Sequence, residues 1–195
     1  ITALPTAAAL TPGNLTLLTT ATASSSATLS FTSNINSTYD SYLFKFIDIH
    51  PATNAANFQF QGSTNTGSSY GLTVTTNFFA SYHSEDGTSA AALEYQAGLD
   101  IAQGTGFIDL GGDTGNGNDE CLVGTLHLFS PSSTTFVKHF MARCNVYNHN
   151  PYSVDAHTSG YLNTTSAVDA IQFKFDSGNI DAGTIKMYGV GPKQS

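Results

Sequence analysis

The chain is poor in charge, above all positive charge. It has 6 Lys and Arg against 14 Asp and Glu, a formal net charge of −8, and only 10% charged residues in 195. Soluble domains usually carry about 25%. So few basic side chains, scattered along the sequence, form no stripe that could meet a phosphate backbone, which excludes nucleic acid as a partner. No apolar run nears the ~18 residues of a membrane-spanning helix, so no membrane span is expected. Trp is absent and there are two Cys, too far apart in sequence for a C-x-x-C site. Among His50, His83, His127, His139, His149 and His157 there is no H-E-x-x-H or H-x-H spacing to hold a metal. With 18 Gly and 6 Pro, the chain is also too poor in both to be a low-complexity segment.

What is present is Phe, Tyr, Thr, Ser and Asn in short alternating segments, the pattern of half-buried strands. Tyr42-Leu43-Phe44-Lys45-Phe46-Ile47-Asp48 and Ala170-Ile171-Gln172-Phe173-Lys174-Phe175 each point two Phe one way and Lys the other. Further strands are expected at 15–20, 28–32, 57–61, 72–76, 107–110, 121–129, 135–144, 160–162 and 184–190. About ten strands in one chain of this size imply an all-β fold, a two-sheet antiparallel sandwich or jelly roll, over residues 15–195. Residues 1–14, with Pro5 and Pro12 among Ala and Thr, read as an extended arm or linker, because proline fixes φ and donates no hydrogen bond. A chain opening Ile1-Thr2-Ala3 is expected to follow a cut precursor or a longer upstream region. The best helical window is Ser89 to Tyr95, with Ser89 as cap and Gly98 as terminator; an ordered crossover loop is the other reading. Lys45, Lys138, Arg143, Lys174 and Lys186 fall within expected strands, where outward Lys discourages edge-to-edge association.

The segments 121–129 and 135–144 read as a hairpin around Ser130-Pro131-Ser132-Ser133-Thr134. Symmetrical folding sets Phe129 opposite Phe136, Leu128 opposite Val137 and Cys121 opposite Cys144. Leu122, Leu126, Leu128, Val137 and Met141 then share the core face, and His127 and His139 take opposite faces. In that register Cys121 and Cys144 are within disulfide reach, though a one-residue slip removes the pairing and two lone cysteines are more often buried small side chains. Gly67-Ser68-Ser69-Tyr70-Gly71 matches the G-x-S-x-G of an esterase elbow, but the strand-like 72–76 follows where that elbow needs a helix, so a hairpin loop is expected.

Two segments carry candidate ligand chemistry. Asp109, Asp113, Asp119 and Glu120 lie in a Gly- and Asn-rich loop whose oxygens suit Ca²⁺, although turn-forming residues account for its composition without an ion. Tyr147, His149, Tyr152, Asp155 and His157, with Asn148 and Asn150, read as a loop able to bind a polar ligand such as glycan, or as a solvated loop without one. Tyr beside Asn and Ser gives rigid, adaptable polar contacts.

Three stretches carry a resemblance: 43–53 (LFKFIDIHPAT) with 58–63, 127–131 (HLFSP), and above all 171–190, whose Ser177-Gly178-Asn179-Ile180 is followed by Gly183-Thr184 and closes on Tyr188-Gly189. In these the chain resembles a family of tailed-bacteriophage virion proteins found in phages of aquatic bacteria, and the resemblance spans nearly all of 15–191. It implies a virion-surface β-sandwich, forming a homo-oligomer, in particular a trimer, with other virion proteins as partners and the extracellular particle as its location. It carries over no catalytic residue. The function expected is a non-enzymatic fibre-tip domain contacting host surface glycan, with no cofactor beyond the calcium already weighed. The alternatives are a capsid decoration protein anchored by its arm, and a glycan-cleaving tailspike-type enzyme.

Overall fold

A computed structural model describes residues 15–192, so the expected arm at 1–14 lies outside the described residues. Among the described residues the protein is all-β, 60% strand with no helix. Its strands are β1 (Leu15–Thr22), β2 (Leu29–Phe31), β3 (Tyr39–Pro51), β4 (Ala56–Ser63), β5 (Val74–Ser84), β6 (Ala91–Tyr95), β7 (Ala102–Gly104), β8 (Ile108–Thr114), β9 (Leu122–Phe129), β10 (Lys138–Asn148), β11 (Tyr152–Leu162), β12 (Ala170–Phe175) and β13 (Ile180–Pro192). They form one antiparallel sheet in the order β1-β13-β3-β9-β10-β8-β4-β12-β2, from which β11, β5, β6 and β7 branch beside β10. The join between β10 and β8 is a single pair, Asn148 opposite Thr114. Between β1 and β2, Ser26 bridges to Ile180 of β13, so the two ends of the order nearly meet and the sheet is almost closed into a barrel-like shape.

Alternation explains why the sheet closes. Phe44 and Phe46 of β3 point inward, as do Phe58 and Phe60 of β4 and Phe173 and Phe175 of β12, and all six are buried. Strand β3 is not hydrogen-bonded to β4 or β12, yet Phe46 meets Phe58 at 5.2 Å and Phe44 meets Phe173 at 5.3 Å between ring centroids. Phe140 of β10 meets Phe60 edge-on at 4.9 Å. Each ring removed from water stabilises the fold by roughly 1.5–3 kcal/mol, and edge-to-face geometry adds to that. Both Phe-Lys-Phe segments therefore behave as their pattern predicts, with Lys45 lying over the Tyr188 ring and Lys174 over Phe107 on the outside.

Several expectations are corrected. The β9–β10 hairpin is shifted by three residues: Leu128 faces Phe140, Met141 faces His127 and Cys144 faces Gly124. An odd shift exchanges the faces of one strand. Phe140, Ala142, Cys144 and Val146 thus join Leu122, Leu126 and Leu128 in the core, whereas Met141 is 63% exposed and Phe136 71%. His127 and His139 consequently share the outer face. Cys121 and Cys144 are free thiols; the latter fills space that Gly124 leaves, since a Cβ there would sit 2.7 Å from its Sγ.

The window from Ser89 to Tyr95 is no helix but contains β6, and β5 runs eight residues past the expected end at Thr76, to Ser84. Lys138 does not point outward: it is fully buried, its Nζ donating to the carbonyls of Phe136 at 2.6 Å and Thr164 at 3.1 Å. Desolvation lowers its pKa. Strands β3, β10, β12 and β13, which carry Lys45, Lys138, Arg143, Lys174 and Lys186, each have neighbours on both sides, so these side chains guard no sheet edge. The 67–71 segment is not a hairpin loop, because β4 and β5 are unpaired and it crosses between them. Ser69 Oγ there accepts a hydrogen bond from Asn65 Nδ2 at 2.9 Å.

Candidate functional site

The inner face of β5, β6 and β11 looks onto β8 at one end of these strands. A cleft of about 300 Å³ opens there, lined by Phe78 and Tyr82 of β5, Ala90, Glu94 and Gln96 at β6, Gly112 and Asp113 of β8, Asn148, and Asn150, Tyr152 and Val154 at β11. Register puts these side chains on one face. Val154 stands opposite Tyr82, and Tyr152 opposite Ser84; Ala80 stands opposite Glu94 and Tyr82 opposite Ala92. Tyr82 and Tyr152 are thus diagonal cross-strand neighbours, their rings 6.0 Å apart and 14° from parallel. Phe78 and Val154, both buried, form the floor.

The tyrosine platform is held in place. Tyr82 Oη donates to Glu94 Oε1, and that carboxylate acceptor holds the phenol above its ordinary pKa. On the opposite wall, β8 gains one residue relative to β4: Ala56 pairs with Thr114 but Phe58 pairs with Gly111. Such a bulge re-aims side chains, and here it brings Gly112 and Asp113 to the cleft. Asp113 takes the left-handed conformation, φ 53°, while its backbone N–H donates to Asn57 Oδ1 at 2.8 Å and its carbonyl accepts from His149 N at 3.0 Å. The mouth is finished by the β10–β11 turn, where Asn150 N donates to Asn148 Oδ1 at 2.9 Å.

Of the five residues expected to bind a polar ligand, Tyr152 lines this cleft. Tyr147, Asp155 and His157 do not. They lie on the opposite face of the same strands, because Asp155 and His157 belong to β11 and not to a loop. Asp155 accepts both 2.8 Å bonds of a bidentate Arg143 contact, which lowers its pKa, and His157 stacks on Phe79 at 4.8 Å. The Tyr147 phenol faces Glu85, whose carboxylate raises its pKa. His149 sits in the turn, its Nε2 beside Asn150 Nδ2 at 3.0 Å and its Nδ1 buried without a partner.

The acidic segment is likewise divided. Asp109 and Asp113 are in β8, not in a loop. Asp109 is buried and accepts from Gln59 Nε2 at 3.0 Å. Glu120 turns back to accept from Gly117 N at 2.6 Å. Among the described residues, no three His, Cys, Asp or Glu are placed to hold a metal ion.

Tyr82, Glu94 and Gln96 were not foreseen from the sequence. Asp86-Gly87, a turn signal of the kind that closes hairpins, was the clue: folding 77–84 back on 90–96 around it sets Tyr82 and Glu94 on one face. Chemically, the cleft offers two near-parallel aromatic faces, amide donors and acceptors from Gln96, Asn148 and Asn150, and two carboxylate acceptors. No protein-family model matches the chain, and no curated protein matches it.

Proposed function

We propose that this chain is a non-enzymatic surface protein of a tailed-bacteriophage virion, a fibre-tip domain whose β5/β6/β11 cleft contacts host glycan. The observation that carries the reading is the Tyr82–Tyr152 platform beside amide side chains in a cavity of about 300 Å³. A sugar ring presents apolar C–H faces and a rim of hydroxyls, so it needs an aromatic face and planar hydrogen-bonding groups together. Tyr supplies that face at little conformational cost. The family resemblance in 171–190 supplies the viral setting and the homotrimer, which is a closed symmetric assembly as most homo-oligomers are.

The finer architecture belongs to the same reading. The layer β1-β13-β3-β9-β10-β11-β5 faces β8-β4-β12-β2 as a jelly-roll-like sandwich, supported by the Phe rings that meet between them. Antibody raised against the chain and gold-labelled on purified phage particles tests the assignment. Label at fibre ends is expected. Label spread evenly over the capsid would replace this reading with a decoration protein, and particles bearing none would overturn both.

A further inference from the structure

Every charged group lining the cleft is acidic. Among the described residues lining it, Glu94 on one wall and Asp113 on the other are the only carboxyls, and there is no Lys, Arg or His. The nearest strong cation on these strands, Arg143, projects from the opposite face and is spent on Asp155. His149 stands beside Asn150 outside the lining. A uronate or phosphate-bearing sugar would lose water in this cleft and gain no counter-charge, while meeting two like charges in a chain of net charge −8. An ammonium would meet the reverse.

Resting on the glycan reading above, we infer that the cleft selects sugars by charge: amine-bearing glycans bind best, neutral glycans next, and acidic glycans are rejected. Glu94 is the selecting group on the platform side. Its carboxylate accepts one bond from Tyr82 and keeps further lone pairs for a ligand, over a ring face that itself attracts a cation. Asp113 supplies the second negative wall, where the β8 bulge puts it.

Titration calorimetry on the full chain with three probes tests this: an N-acetylglucosamine tetramer, the same tetramer without its acetyl groups, and a tetramer of galacturonate. The deacetylated probe should bind about 10-fold tighter than the acetylated one in low salt, as expected for roughly one charge contact, and lose that advantage in high salt. The uronate should give no heat. Glu94→Gln should abolish most of the amine preference, read as the ratio of the deacetylated to the acetylated probe's affinity measured on the variant itself. Tyr152→Ala should weaken both probes together.

Uronate binding that equals the neutral probe and depends on Tyr152 would overturn the charge rule and leave the glycan site standing. Equal affinity of the amine and acetylated probes would do the same. Failure of all three probes to bind would overturn the glycan site and the rule with it.

Discussion

At the scale of single residues, alternation reported burial well and register poorly. Phe44, Phe46, Phe173 and Phe175 occupy the core as their spacing predicts, because a period of two is a property of the strand itself. Which residue faces which depends instead on where the connecting loop ends, and the 130–137 connection is longer than the expected 130–134. The consequence was an exchange of faces in β10, visible in exposed Met141 and buried Lys138. Neither could be read from periodicity, since Met and Val suit a core face on composition alone.

Asp109 shows a burial the sequence hides. Desolvation, reinforced by the nearby Asp176 carboxylate and opposed by the Gln59 hydrogen bond, raises its pKa to about 6. A folded-state pKa above the unfolded value means the folded form holds the proton more tightly. The contribution is therefore complete below the usual carboxylate pKa near 3.8 and disappears as pH rises through about 6. Its full size is about 3 kcal/mol. Urea unfolding of the wild-type chain should lose stability across that window relative to Asp109→Asn; parallel pH profiles for the two proteins would show that the carboxyl is not held as described.

At the scale of elements, the cleft depends on one hairpin. Its turn is tied by Asp86 Oδ1, which accepts from Thr88 N, Ser89 N and Ser84 Oγ, each at 2.8 Å. The Ser89 hydroxyl donates to the other oxygen, Oδ2, and this bond foremost, together with those three, holds the Asp86 carboxyl well below the usual carboxylate range. Gly87 completes the turn at φ 70°, a conformation glycine takes without strain. Among the described residues strand β6 pairs only with β5, and it is exposed throughout, so its place rests on that pairing and on this turn. Asp86→Ala should speed amide exchange in Ala91–Tyr95 while leaving β3 and β13 protected; unchanged exchange in β6 would show that its pairing to β5 suffices. The same hairpin went unread in the sequence because the expected strand stopped at Thr76 and Ala90-Ala91-Ala92-Leu93-Glu94 has high helix propensity. Pairing with β5 outweighed that propensity, as tertiary context often does.

At the scale of the whole molecule, strand content and the all-β class were legible, since they follow from alternation repeated along the chain. The cleft was not, because it assembles residues from β5, β6, β8, β10 and β11, and of the segment read as contacting a polar ligand only Tyr152, with its neighbours Asn148 and Asn150, lies in it. Sheet topology created it: the branch at β10 brings β11, β5 and β6 together, and the end of their inner face at Tyr82, Glu94 and Tyr152 meets β8 at Gly112 and Asp113. The surface on the other side, with Arg143, Asp155, His157 and exposed Phe79, is the competing place for a ligand to land. Amide chemical-shift mapping of the full chain with the N-acetylglucosamine tetramer separates the two. The account predicts shifts clustered at Tyr82, Glu94, Gln96, Asp113, Asn148 and Tyr152; shifts confined to Arg143, Asp155 and His157, or none at saturating sugar, would contradict it.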